Sequence, residues 1–305
     1  METFIRDFND LMTDLTNQSR RRRVAVVCPD DERTKEAVLQ ALEMKAIDAL
    51  LVCCHPLDPM FDSHRDHVTV FEAADLPTAA ALGVRLVREG KAEILMKGLI
   101  GSDVILRAIL NKETGILSSG KVLTHLAVAS IPHFPRLLYY TDAAVLPRPT
   151  QEQRVAQVAY MADFCHRMGI SRPKISLIHC SEKTDAKNFP FVLGYQEIKD
   201  MAQRGDFGPC IVDGPLDLKT SCSRESMDVK GIQSPIAGEA DALVIPEIES
   251  ANIFHKAITL FTGADIACLL QGTEAPVVLP SRSDSARTKL LSLALACRML
   301  SAADA

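Results

Sequence analysis

Two rhythms of apolar positions alternate along the chain. Short runs rich in Val, Ile and Leu give way to stretches in which apolar residues recur every three or four positions. That alternation predicts a mostly parallel sheet flanked by helices, the α/β class. The strand candidates are residues 23–28, 49–54, 68–71, 93–96, 122–130, 136–141, 174–179, 210–212, 242–245, 267–270 and 277–279. The clearest helix spans 151–169, where Val155, Val158, Ala162, Cys165 and Met168 share one face and Gly169 stands at the end. The opening residues METFIRDFNDLMTDL read as an amphipathic helix rather than a signal peptide.

The rhythm pauses once. Residues 122–130 and 136–141 are separated only by IPHFP, whose prolines break any helix, and LPRPT follows shortly after. The first lobe therefore ends between Gly120 and Thr150. The expected division is residues 1–125 with 280–305 in one α/β domain and 126–279 in a second. Arg20–Arg23 is the only charge run; an ion-paired or solvated turn is expected there rather than an anion site.

Composition narrows the function. The 305 residues hold 34 Lys+Arg against 39 Asp+Glu, a net charge of -5, which argues against a nucleic-acid binder and for small substrates. No stretch approaches the roughly 18 apolar residues of a membrane span, so a cytoplasmic location is expected. The nine cysteines sit mostly in apolar runs such as VVC, LVCC and LIHC, with no C-x-x-C pair. They read as reduced core thiols, not as a zinc or redox site.

Ligands of open α/β sheets bind at the carboxyl ends of strands, so the loops after strands hold the candidate chemistry. The first is Met96 to Ser102, where Lys97 brings a cation, Gly98 and Gly101 allow close backbone approach, and Ser102 or Asp103 can cap the next helix. It suits a phosphate or an ordinary capped turn equally. The second is Leu279 to Ser285. The hydroxyls of Ser281, Ser283 and Ser285, the forked guanidinium of Arg282 and the amides of a helix start make it the best oxyanion receptor in the chain; a capped helix with a solvated Arg282 is the alternative. The third is Asp213-Gly214-Pro215, where Asp213 either orients a ligand or bonds turn amides. In the fourth, Ile245 to Asn252, Asn252 is an N-cap by chemistry, with a ligand contact the other reading. His125, inside a strand pattern, reads as a wall or core histidine. No Ser-His-Asp order, nucleophile elbow or metal-ligand spacing occurs, which favours direct transfer between two bound substrates.

The segments LMKGLIGSDVILRAIL, CIVDGP, GEADALVIPEIESANIFHK and VVLPSRSDSARTKLLSLALA, in this order, resemble the phosphate acetyltransferase and phosphate butyryltransferase family, the butyryl branch most. KVLTHLAVASIP and RLLYYTDAAVL add to a resemblance that runs from about residue 90 to 300. It implies a two-lobed fold like that of the isocitrate and isopropylmalate dehydrogenases, with the active site in the cleft. It implies reversible acyl transfer between coenzyme A and inorganic phosphate, butyryl preferred, with the CoA thioester as substrate and no cofactor or metal. An acyl kinase as functional partner and a homo-oligomer built from dimers follow from it too. By resemblance Ser281 and Arg282 bind the phosphate, and Lys97, Gly98, Thr124 and His125 line the same cleft. Asp213 and Gly214 face it from the other lobe. Where the acetyl branch has an aspartate six residues beyond the motif arginine, this chain has Thr288, leaving Asp284 as the nominated base. Gly101-Ser102 and Lys219-Thr220-Ser221 also depart from the family pattern. The rival readings are a metal- and NAD-dependent dehydrogenase of the same fold, and a CoA-binding protein without turnover.

Overall fold

The computed structural model describes residues 4–301, which form two compact units, one of residues 8–123 with 266–301 and the other of residues 4–7 with 124–265. The first unit opens with α1 (Phe8–Thr16), β1 (Arg22–Val27), α2 (Glu32–Glu43), β2 (Ile47–Cys53), β3 (Val68–Glu72), α3 (Leu76–Arg88), β4 (Ile94–Lys97) and α4 (Ser102–Ile109). Helix starts follow from local chemistry. Asp31 accepts the Thr34 amide at 3.0 Å to begin α2, and Asp75 accepts that of Thr78 at 2.8 Å to begin α3, with Pro77 in its first turn. The arginine run is an ion-paired turn: Glu93 takes Arg20 at 2.6 Å and Arg22 at 3.3 Å, and accepts the Arg23 amide at 3.1 Å. Burial alone would raise the Glu93 pKa; its arginine partners and the Arg23 amide outweigh it and hold the carboxyl at about 2.

The second unit contains β5 (Thr124–Ser130), β6 (Leu138–Thr141), α5 (Gln151–Arg167), β7 (Lys174–Ile178), α6 (Gly194–Arg204), β8 (Ile211–Leu216), α7 (Leu218–Cys222), α8 (Arg224–Lys230), β9 (Ala242–Val244) and α9 (Ile248–Thr262). Its strands lie in the order β5-β6-β9-β7-β8. β5 and β6 pair antiparallel, as a proline-broken connection without a helix requires, and the other pairs are parallel. Thr150 and Gln153 form a capping box at the start of α5.

The chain then returns through β10 (Asp265–Gln271), β11 (Val277–Val278) and α10 (Ala286–Ser301). The first unit's order is β3-β2-β1-β4-β11-β10, parallel except for β10 with β11. The second crossing thus falls at residue 266 rather than 280, because β10 bonds directly to β11 and goes where its partner goes. Nearly all of α10 is buried, with α1 and α2 packed against it.

All nine cysteines are free, and six are buried. Cys54 and Cys222 are partly covered; Cys180 is exposed, contrary to the core reading of the LIHC run, because β7 ends at Ile178. Among the described residues no helix is long and apolar enough to cross a membrane.

Candidate active site

The carboxyl ends of β1, β4 and β11 carry the first unit's polar chemistry. Gly98 follows β4, and its amide donates to Val27 O at 2.8 Å, so the chain passes directly against the end of β1. A Cβ there would stand 2.1 Å from the Cys28 carbonyl oxygen, which explains the glycine as a close backbone approach. That contact turns Lys97 inward. Its side chain is only 2% exposed, and Nζ donates to Pro280 O at 3.1 Å. This hydrogen bond ties the Lys97 loop to the Ser281–Ser285 loop. The two anion receptors read separately in the sequence are one constellation.

Within the second of these loops, Ser281 N donates to Asp284 Oδ2 at 2.7 Å, and the hydroxyls of Ser281 and Ser283 lie 3.1 Å apart. Ser285 Oγ accepts the Thr288 amide at 3.1 Å, which starts α10. Thr288, at the position where the acetyl branch has a carboxylate, serves here as a capping partner. Ser285, rather than Ser283 or Asp284, is the residue whose side chain meets the helix. Arg33 Nη1 donates to Ser283 O at 2.7 Å, holding the loop from α2. Arg282 is exposed, and no residue among those described pairs with its guanidinium.

Lys289, one turn into α10 and 1% exposed, donates to Asp31 Oδ1 at 2.8 Å and Thr34 Oγ1 at 2.7 Å. The helix-starting Asp31 therefore also neutralises a buried ammonium, and its carboxyl stays below the usual range even though burial pushes it up. Lys97 shares this corner with two further cations, Lys289 and Arg282, and with the carboxylates of Asp31 and Asp284. Burial, then the charges of Lys289 and Arg282, lower the Lys97 pKa against the pull of the two aspartates. Among these groups positive charge exceeds negative by one. Asp31, Arg33 and Lys289 were missed in the sequence. Asp31 had the signal of an N-cap and Lys289 that of a position one turn beyond Ser285, whereas Arg33 had none.

Ser102 is exposed as the first residue of α4, but neither it nor Asp103 caps that helix. Gly101 holds the N-cap without a side chain. Beside the loop, the ends of β1 and β2 open a cavity of about 390 Å³ lined by Pro29, Asp30, Cys53, Leu57 and Phe61.

The remaining candidates lie in the second unit. Thr124 Oγ1 and His125 N both donate to the buried Asp142 Oδ2, at 2.7 and 3.0 Å, and the amides of Ala144, Val145 and Leu146 also bond this carboxylate. Asn252 Nδ2 donates to Ala143 O at 3.0 Å. Thr124, His125 and Asn252 are thus gathered around residues 142–143. Asn252 is not an N-cap. Glu247 starts α9 by accepting the Ser250 amide at 3.0 Å, leaving Asn252 inside the helix. Asp213 and Gly214 sit inside β8, which runs on to Leu216, rather than in a loop after it. Asp213 pairs with Lys199 at 3.5 Å and accepts Ser234 Oγ at 2.6 Å. Thr220 and Ser221, in the departing stretch after β8, are buried and bond Glu182 and Ser176.

Among the described residues no three His, Cys, Asp or Glu side chains converge as a metal ion would need.

Comparison with known proteins agrees with this chemistry. The family model described as phosphate acetyl/butaryl transferase matches residues 63–297. A phosphate butyryltransferase of Clostridium acetobutylicum is 36% identical over 96% of this chain and 97% of its own length. The crystal structure of a branched-chain phosphotransacylase from Enterococcus faecalis V583 superposes with a TM-score of 0.81 at 29% identity, covering 92% of this chain and 99% of that one. A 4-hydroxythreonine-4-phosphate dehydrogenase from Klebsiella pneumoniae, at a TM-score of 0.50 and 10% identity over 92% of this chain and 99% of its own, shares the fold alone and extends it to dehydrogenases. By a model match over most of its length and a relative above 30% identity, the chain belongs to the phosphate acetyl/butyryl transferase family.

Proposed function

We propose that this protein transfers an acyl group, butyryl in preference, between coenzyme A and inorganic phosphate. Supporting the reading most is the Lys97 to Pro280 hydrogen bond, which joins two anion-receptor loops into one site with more cations than carboxylates. In the forward direction a phosphate oxygen attacks the thioester carbonyl carbon and a C–O bond forms. The C–S bond then breaks, its electron pair leaving on the CoA sulfur as thiolate. Arg282 forks onto two phosphate oxygens and the Ser281 and Ser283 hydroxyls hold others, fixing the nucleophile beside the carbonyl in a ternary complex. The net positive charge of the site offsets the negative charge that develops in the transition state. In reverse the thiolate attacks the acyl phosphate. Asp284 is the carboxylate we assign to the thiol proton; its Oδ2 is engaged by the Ser281 amide, which leaves Oδ1 for that role. Coenzyme A enters as substrate, and the reaction as written needs no further cofactor.

The butyryl preference rests on the 36% identical butyryltransferase. Two partners go with the reading: an acyl kinase that consumes the acyl phosphate, and a second copy of this chain. The exposed Ile253, Leu260 and Phe261 along α9 are apolar surface for that second copy. The dehydrogenase alternative has only a shared fold behind it.

The test is release of free CoA thiol from butyryl-CoA and acetyl-CoA, each with and without inorganic phosphate. Phosphate-dependent release, faster with butyryl-CoA, is expected. Equal release without phosphate would make the protein a thioesterase, and CoA binding without release would make it a binding protein.

A further inference from the structure

A cavity of about 850 Å³ in the second unit plays no part in the chemistry described so far. It opens where β7, β8 and β9 end, the position at which open α/β sheets receive ligands. Arg154, on α5, lines it and is only 2% exposed. The guanidinium donates to Pro246 O at 3.3 Å and to Pro149 O at 3.4 Å, and it lies 5.3 Å over the ring of Phe191. No carboxylate among the described residues pairs with it. The two that line the cavity are engaged elsewhere: Asp217 with Lys230 at 2.6 Å, and Glu247 as the cap of α9. The guanidinium, held by long bonds to carbonyl oxygens and by the rings of Phe191 and Tyr195, has no counter-charge among the described residues, and an anion entering the cavity would supply one. Arg148, exposed at the rim, offers a second guanidinium. The lining is also aromatic, with His179 edge-on to Phe189 at 4.7 Å and to Phe191 at 5.7 Å. Phe189 is partly open to solvent.

Two arginines beside an aromatic wall, in a cavity of small-molecule size, match a planar base joined to phosphate. We propose that this cavity binds the phosphorylated adenosine end of a nucleotide, its purine against Phe189, Phe191 and His179 and its phosphate on Arg154 and Arg148. Such a group comes from either of two sources. One is the nucleotide half of the coenzyme A substrate, which rests on the acyltransfer reading above. The other is a free adenine nucleotide acting as an effector.

The experiment is calorimetric titration of the full chain with adenosine 3′,5′-bisphosphate, repeated with saturating CoA. Saturable binding is expected, weakened about tenfold by Arg154→Met and by a smaller factor by Arg148→Gln and Phe189→Leu. Displacement of the bisphosphate by CoA identifies the substrate's own nucleotide end; unchanged affinity in saturating CoA identifies a free nucleotide. Either result supports the site. Arg148 and Phe189 lie at the rim, so their variants retain the fold if Arg154→Met does not, as circular dichroism will report. Absence of saturable binding by the wild type, or binding unchanged in both rim variants, overturns the proposal. Calorimetry needs no turnover, so a failure here is distinct from a failure of phosphate-dependent CoA release.

Discussion

Arg282 and Lys97 stand differently in the proposed phosphate site. Lys97 is buried and already spends one donor on Pro280 O, which makes it as much a fastener between loops as a charge. Arg282 is exposed and keeps all its donors for a ligand, so the planar fork matters there. Arg282→Lys keeps the charge and loses the bidentate geometry; the KM for phosphate should rise or kcat fall roughly tenfold or more, read from initial rates of CoA release. In the second unit, His255 bonds the Tyr140 hydroxyl at 2.7 Å. Burial, then the neighbouring His125 and Lys256, push its pKa down from 6.5 to about 4. Above pH 6.5 the imidazole is neutral whether the chain is folded or unfolded. Between pH 6.5 and about 4 the unfolded chain takes up the proton and the folded one resists it, so stability falls as pH is lowered through this window. The full shift corresponds to about 3 kcal/mol. His255→Gln should flatten that part of the Tm-against-pH curve relative to wild type.

At the scale of elements, the site depends on how closely β4 passes β1. Gly98→Ala places a methyl 2.1 Å from the Cys28 carbonyl oxygen, a backbone atom that cannot swing aside. The β4–α4 loop must shift, and Lys97 with it. A loss of about 1–3 kcal/mol in urea unfolding is expected, together with a fall in activity larger than stability alone would cause. α2 and α10 are coupled through Lys289, which bonds both Thr34 and Asp31, the residue that starts α2. The second unit uses its carboxylates in the same economical way. Asp142 collects Thr124, His125 N and three loop amides, so residues that resemble cleft-lining groups also hold β5 to the end of β6.

At the scale of the whole molecule, an excess of cations around an open loop means that the folded chain should bind phosphate and be stabilised by it. Inorganic phosphate at about 100 times its Kd should add about 2.7 kcal/mol and raise Tm, chloride at matched ionic strength should not, and Arg282→Lys should shrink the gain. Much of the molecule was legible in its sequence. The alternation of apolar runs and helical periods marked the eleven strands among the described residues and the α/β class, because periodicity is a local property that burial imposes on each element. The positions of the Ser281-Arg282 and Lys97-Gly98 loops at strand ends were legible because glycine and serine there follow local rules. Three things were decided by tertiary structure alone. One was the union of those two loops, 183 residues apart. Another was the meeting of Lys289 with Asp31 and of Arg33 with the Ser283 carbonyl, and the third was the place of Asp213 and Asn252 inside a strand and a helix. Each depends on which backbone lies against which, a matter of long-range packing that spacing along the chain does not encode.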